Sequence, residues 1–183
     1  MPTNALVTGP PRSGKTTALE RAVSRLREDD VSVGGLSSPE IREDGERVGF
    51  EIVDLASGER ELMAHVTFDG DDNPTVGAYG VDVDAVDRLA TTALPTAIET
   101  ADCVVIDEIA PMQLSSEDFV RETRRALESP TPVLAAIKAD ATAGVLGAIK
   151  MRTDTERFVV EPETRERIPT ALVRWVQSSL RPR

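Results

Sequence analysis

Two hydrophobic periods alternate along the chain. Asn4-Ala5-Leu6-Val7-Thr8 is a short apolar run that predicts a buried strand, and from Thr17 to Arg27 the apolar residues Ala18, Leu19, Ala22, Val23 and Leu26 return at helical spacing. Val31 to Leu36 reads as a second short strand. Behind the turn Glu43-Asp44-Gly45-Glu46, residues Val48, Phe50 and Ile52 alternate as in a hairpin strand. Ala56-Ser57-Gly58-Glu59 is another turn, Leu62 to Phe68 a third strand, and Asp69 to Pro74 an acidic surface loop. Asp84 to Thr100 predicts a long helix with Val86, Leu89, Ala90, Ala93 and Leu94 for burial and Pro95 as a kink or break.

The second half continues the alternation. Asp102 to Glu108 is an apolar strand ending in two acids. Ser115-Ser116-Glu117-Asp118 caps a helix to about Leu127, with Phe119, Val120, Thr123 and Leu127 on one side. Pro132 to Ile137 predicts a buried strand, Ala143 to Arg152 a short helix, Arg157 to Val160 an edge strand and Glu163 to Leu180 the final helix. Strands alternating with helices make an α/β chain; the antiparallel stretch after Leu36 is unusual for one. No repeat, low-complexity tract or linker divides residues 1–183, so one domain is expected.

The turn between the first strand and the first helix carries the chemistry. Gly9-Pro10-Pro11-Arg12-Ser13-Gly14-Lys15-Thr16 matches G-x-x-x-x-G-K-[ST], and it stands where that phosphate-binding loop requires it. Gly9 and Gly14 permit the turns that aim backbone N–H groups at a phosphate. Lys15 supplies a point charge for the outer phosphates, the Thr16 hydroxyl can ligate Mg²⁺, and the helix opening at Lys15 favours an anion at its N-terminus. Downstream, Val104-Val105-Ile106-Asp107-Glu108 has the Walker B pattern. Asp107, at the strand's carboxyl end, is placed to hold Mg²⁺ through water, and Glu108 to orient or deprotonate an attacking water.

Composition narrows the rest. Net charge is −11, from 32 acids against 18 Arg and 3 Lys, which speaks against non-specific coating of nucleic acid. The same bias suits a salt-adapted cytoplasm, where acidic surfaces stay soluble. No apolar run approaches the roughly 20 residues that span a bilayer, and Met1-Pro2-Thr3-Asn4 does not resemble a signal peptide, so a cytoplasmic location is expected. Cys103 sits in an apolar run and is expected in the core. One Cys and one His leave no Cys/His metal site, and His65 is expected to be structural or exposed.

With these residues in view, the chain resembles the small nucleoside-triphosphatase family of archaea, thermophilic bacteria and animals. The resemblance is strong from Leu6 to about Leu127 and looser beyond. Its marks are the loop Gly9 to Thr16, Gly34-Gly35, the run Glu40-Ile41-Arg42-Glu43-Asp44-Gly45-Glu46-Arg47-Val48-Gly49-Phe50, the run Val76-Gly77-Ala78-Tyr79-Gly80-Val81-Asp82, and Ile106-Asp107-Glu108-Ile109. It implies Mg²⁺-dependent hydrolysis of several nucleoside triphosphates to diphosphate and phosphate. The implied fold is a three-layer P-loop NTPase fold, related to nucleotide kinases, with a mainly parallel central sheet and an antiparallel hairpin insert. Nucleotide contacts are expected from Gly9, Pro10, Pro11, Arg12, Ser13, Gly14, Lys15, Thr16 and Thr17, and from Val104, Val105, Ile106, Asp107, Glu108, Ile109, Ala110 and Pro111.

Two departures stand out: the family usually has Gly after Ile109 and an acid after Met112, where this chain has Ala110 and Gln113. Both bear on substrate positioning rather than on metal or water. Arg42 has two readings, a catalytic group reaching the γ-phosphate or a hairpin residue paired with Glu40 or Glu43. Lys138, at the end of a buried strand, lies near the nucleotide or away from it. Hydrolysis competes with two other readings, transfer of the γ-phosphate to an acceptor hydroxyl by a nucleotide or polynucleotide kinase, and a slow regulatory switch. No base-reading motif is present, so weak base selectivity is expected.

Overall fold

The computed structural model describes residues 2–180. Strand β1 (Asn4–Thr8) leads into helix α1 (Lys15–Glu28), followed by β2 (Val33–Ser37), β3 (Glu40–Glu43), β4 (Glu46–Asp54), β5 (Arg60–His65), β6 (Thr75–Val76) and β7 (Tyr79–Val81). Helix α2 (Val83–Thr100), β8 (Cys103–Ile109), the short α3 (Pro111–Leu114), α4 (Glu117–Glu128), β9 (Val133–Ile137), α5 (Gly144–Lys150), β10 (Thr155–Val159) and α6 (Ile168–Leu180) complete the order.

One sheet runs through the molecule in the order β10-β1-β9-β8-β2-β4-β5-β7-β6, with β3 paired to β4. Its first five strands are parallel, and the rest join antiparallel from β2 onward. Parallel strands are apolar on both faces because helices cover both. Accordingly β1 and β9 are buried at every position. One face packs Ala18, Leu19 and Leu26 of α1 and Leu172 and Val176 of α6 against β1, β8 and β9. The other packs Leu89, Ala93 and Leu94 of α2 and Phe119 and Leu127 of α4. The layers are therefore helix, sheet, helix, as expected.

The antiparallel part is larger than a hairpin. A bulge in the β4–β5 pairing skips Met63 between the partners of Phe50 and Glu51, so the adjacent residues Met63 and Ala64 both turn into the core while Leu62 is left 38% exposed. Period-two reading fails at such a point because the extra residue shifts the faces. Strand β5 also ends earlier than Phe68, in a turn where the His65 ring meets the Thr67 hydroxyl at 2.8 Å. Pro95 does not break α2: the carbonyl it leaves without a donor belongs to exposed Thr91, within reach of water. The final helix starts at Ile168 rather than Glu163, since the Thr164 hydroxyl accepts from the Glu161 N–H and donates to the Val159 carbonyl, holding a turn there.

Candidate active site

The parallel strands deliver their carboxyl ends to one edge, where the loop after β1 meets the end of β8. The loop geometry depends on Gly9. A Cβ there would lie 2.5 Å from Ser13 Oγ and 2.6 Å from the Val160 carbonyl, so only glycine lets the loop fold this tightly. The Ser13 N–H donates to the Pro10 carbonyl at 3.1 Å, closing the turn. Gly14, in the left-handed region at φ 102°, caps α1. The first N–H groups of that helix have no partner within it and point back into the loop. Among the described residues Ser13 Oγ is buried with no hydrogen-bond partner, a donor that a bound anion would satisfy.

Two contacts join residues far apart in sequence. The Thr16 hydroxyl donates to Asp107 Oδ1 at 3.3 Å, and Lys15 Nζ lies 3.6 Å from Glu108 Oε2. Asp107 is 7% exposed. Burial pushes its carboxyl up to about 6, against the Thr16 hydrogen bond, and the negative charges of Glu108 and Glu20 add to the rise. A buried carboxylate short of positive charge, beside a hydroxyl, is an all-oxygen donor pair suited to a hard divalent cation. Among the described residues no three or more His, Cys, Asp or Glu side chains gather as a metal site. Mg²⁺ fits such a sparse site because it is commonly held by one or two protein groups together with substrate phosphates.

The other expected positions divide. Val104, Ile106 and Ile109 are fully buried in the core, so their side chains hold β8 in place without reaching a ligand. Val105 and Asp107 line a cavity of about 530 Å³ with Leu19, Val23 and Leu55. Ala110 and Pro111 open α3, and Gln113 in that helix is 4% exposed. Its Nε2 donates to Ser38 Oγ at 2.9 Å, tying α3 to the end of β2. Arg12, Ser13, Gly14, Thr17 and Arg165 line a second hollow of about 230 Å³ on the other side of the loop.

Arg42 takes up the hairpin geometry. Its Nε donates to Glu40 Oε2 at 3.1 Å and a terminal nitrogen donates to the Gly45 carbonyl at 3.0 Å, so its guanidinium is engaged within the β3–β4 turn. Glu20 belongs to no motif and is visible only in the fold. It lines the Asp107 cavity and lies one helical turn after Thr16, a spacing that puts both on one side of α1.

Comparison with known proteins bears on the family and the fold. A family model described as NTPase matches residues 4–173. The nucleoside-triphosphatase THEP1 of Methanothermobacter thermautotrophicus is 44% identical over 163 residues, 89% of this chain and 90% of that protein. That of Methanopyrus kandleri is 38% identical over 182 residues, 97% and 99% of the two chains. Among solved structures, a human cancer-related nucleoside triphosphatase superposes with a TM-score of 0.81 at 33% identity, covering 97% of this chain and 99% of that one. THEP1 from Aquifex aeolicus gives 0.83 at 26% identity, covering 95% and 99%. The chain belongs to the NTPase family.

Proposed function

We propose that the protein hydrolyses nucleoside triphosphates, ATP, GTP, CTP and UTP among them, to the diphosphate and phosphate with Mg²⁺ as cofactor. The observation that carries this is the convergence of Lys15, Thr16, Asp107 and Glu108 at one strand edge, through contacts of 3.3 and 3.6 Å. The loop amides and the α1 N-terminus hold the phosphates, and the Lys15 ammonium neutralises their outer oxygens. Thr16 and Asp107 would hold Mg²⁺, which supplies further positive charge to the phosphate oxygens. Glu108 takes a proton from water. The water oxygen bonds to the γ-phosphorus as the bond to the β–γ bridging oxygen breaks, and that oxygen leaves on the diphosphate. The hollow beside Arg12, Thr17 and Arg165 would take the ribose and base. Arginine planes stack on any base, in keeping with weak base selectivity.

One observation favours a second reading, transfer to an acceptor hydroxyl. The 530 Å³ cavity, walled by Leu19, Val23, Leu55 and Val105, reaches Asp107 and is large enough for a small second substrate. The deciding experiment incubates the protein with Mg²⁺ and each triphosphate, with and without nucleosides and nucleotides as acceptors. Stoichiometric phosphate release without acceptor supports hydrolysis; diphosphate formed only with acceptor supports transfer.

A further inference from the structure

We infer that Lys138 is a second cation for the terminal phosphate, seated by Lys150; this rests on the proposed triphosphate hydrolysis. The first observation is one of residue choice. The chain carries 18 Arg and only 3 Lys, at positions 15, 138 and 150, and all three converge on the same edge of the sheet. Lys15 is in the loop. Lys138 follows the last residue of β9, the strand that lies between β1 and β8. Pairing of Val7 with Ala136 on one side puts Lys138 level with Gly9, and pairing of Ile109 with Ile137 on the other puts it level with Ala110. It therefore leaves the sheet between the phosphate loop and the acid pair.

Lys150 explains how that position is held. From the end of α5, its Nζ donates to the carbonyls of Ala139 and Ala141 at 2.7 and 2.8 Å, clamping the segment that follows Lys138. Burial lowers its pKa, with the Arg157 charge adding to the fall and the Asp140 charge opposing it. Among the described residues Lys138 has one loose partner, Asp140 Oδ1 at 3.9 Å, with both side chains well exposed at 46% and 76%. Such a pair contributes little and is given up readily to a terminal phosphate. A compact ammonium suits that role as a point charge, whereas the larger guanidinium fork suits planar bidentate pairing. An otherwise Arg-dominated chain keeps lysine here.

The test uses Lys138→Met, Lys150→Met and the double variant, each checked for an unchanged melting temperature. Affinities for ADP and for an ATP analogue with a methylene β–γ bridge are measured beside single-turnover ATP hydrolysis. Lys138→Met is expected to slow hydrolysis by about 10- to 10²-fold and to weaken the analogue while leaving ADP binding unchanged, the scale of one lost charge-assisted hydrogen bond. Lys150→Met should shift the same two readouts in the same direction, and the double variant should be no worse than Lys138→Met, because both act through one group. Equal loss of ADP and analogue, additive effects, or a wild-type rate in Lys138→Met overturns the inference while leaving hydrolysis intact. A wild-type protein that neither binds the analogue nor hydrolyses ATP overturns both.

Discussion

At the scale of single residues, Asp107 and Glu108 are neighbours with different surroundings. Asp107 is buried against Thr16, while the Glu108 side chain is 38% exposed and faces Lys15. That division is what the proposed function draws on when it gives the metal to the first and the water to the second. Glu108→Gln keeps size and hydrogen bonding but removes the base, so hydrolysis should fall by about 10²- to 10⁴-fold with triphosphate binding retained. Lys15→Ala should weaken binding and turnover together, since its charge acts in both ground and transition states. Nucleotide affinity and single-turnover rates separate the two; a wild-type rate in Glu108→Gln would move the base elsewhere. Cys103 has a different fate. It is fully buried, and desolvation pushes its thiol up to about 12, with the Asp102 charge adding to the rise. The thiolate is the reactive form, so an alkylating reagent at pH 8 should label the unfolded chain and leave the native one unmodified. Rapid labelling of native protein would contradict the buried placement.

At the scale of elements, the second strand rests on a glycine pair. Gly35 has φ 120°, and a Cβ there would lie 2.0 Å from the Val105 carbonyl on the neighbouring strand β8. That carbonyl is backbone and cannot swing aside. Gly35→Ala should therefore cost about 3 kcal/mol or more, through strain and a forced shift of β2 from β8. Denaturant unfolding measures it, and a loss below about 1 kcal/mol would mean that the two strands can separate cheaply. Periodicity made the helices legible: Val86, Leu89, Ala90, Ala93 and Leu94 are all buried as the helical spacing requires. That a loop would follow β1 and an acid pair would end β8 was legible because each is a run of contiguous residues. The bulge at Met63 and the short strands β6 and β7 were not, since their geometry depends on cross-strand partners rather than on local pattern. Arg42 was ambiguous for the same reason: its hydrogen bonds to Glu40 and Gly45 follow from how β3 folds back on β4.

For the whole molecule, charge is the dominant collective property. Ion pairs such as Arg88–Glu61 at 2.6 Å and Arg125–Glu99 at 3.5 Å lie on the surface, where water and salt leave each with little effect on stability. Even with every base paired, the net charge of −11 leaves an excess of acids repelling one another across the fold. Two effects of added salt then oppose each other. Screening weakens the surface pairs, and it also weakens the repulsion, as the Debye length shrinks from about 10 Å at 0.1 M to about 3 Å at 1 M. The repulsion outweighs the pairing, because it sums over many acids at longer range while each pair is already partly quenched by water. Stability should consequently rise with salt. Between about 0.05 M and 2 M KCl the melting temperature is expected to climb by roughly 5–10 °C, equivalent to a gain of about 2–3 kcal/mol for a chain of this size. Potassium chloride is the salt to use, since sulfate would add a general exclusion effect that stabilises burial in any protein. A matched series in sucrose separates charge screening from that exclusion. A melting temperature that is flat or falls in KCl would show that the acids are held apart well enough in dilute buffer, and that their excess is no adaptation to salt.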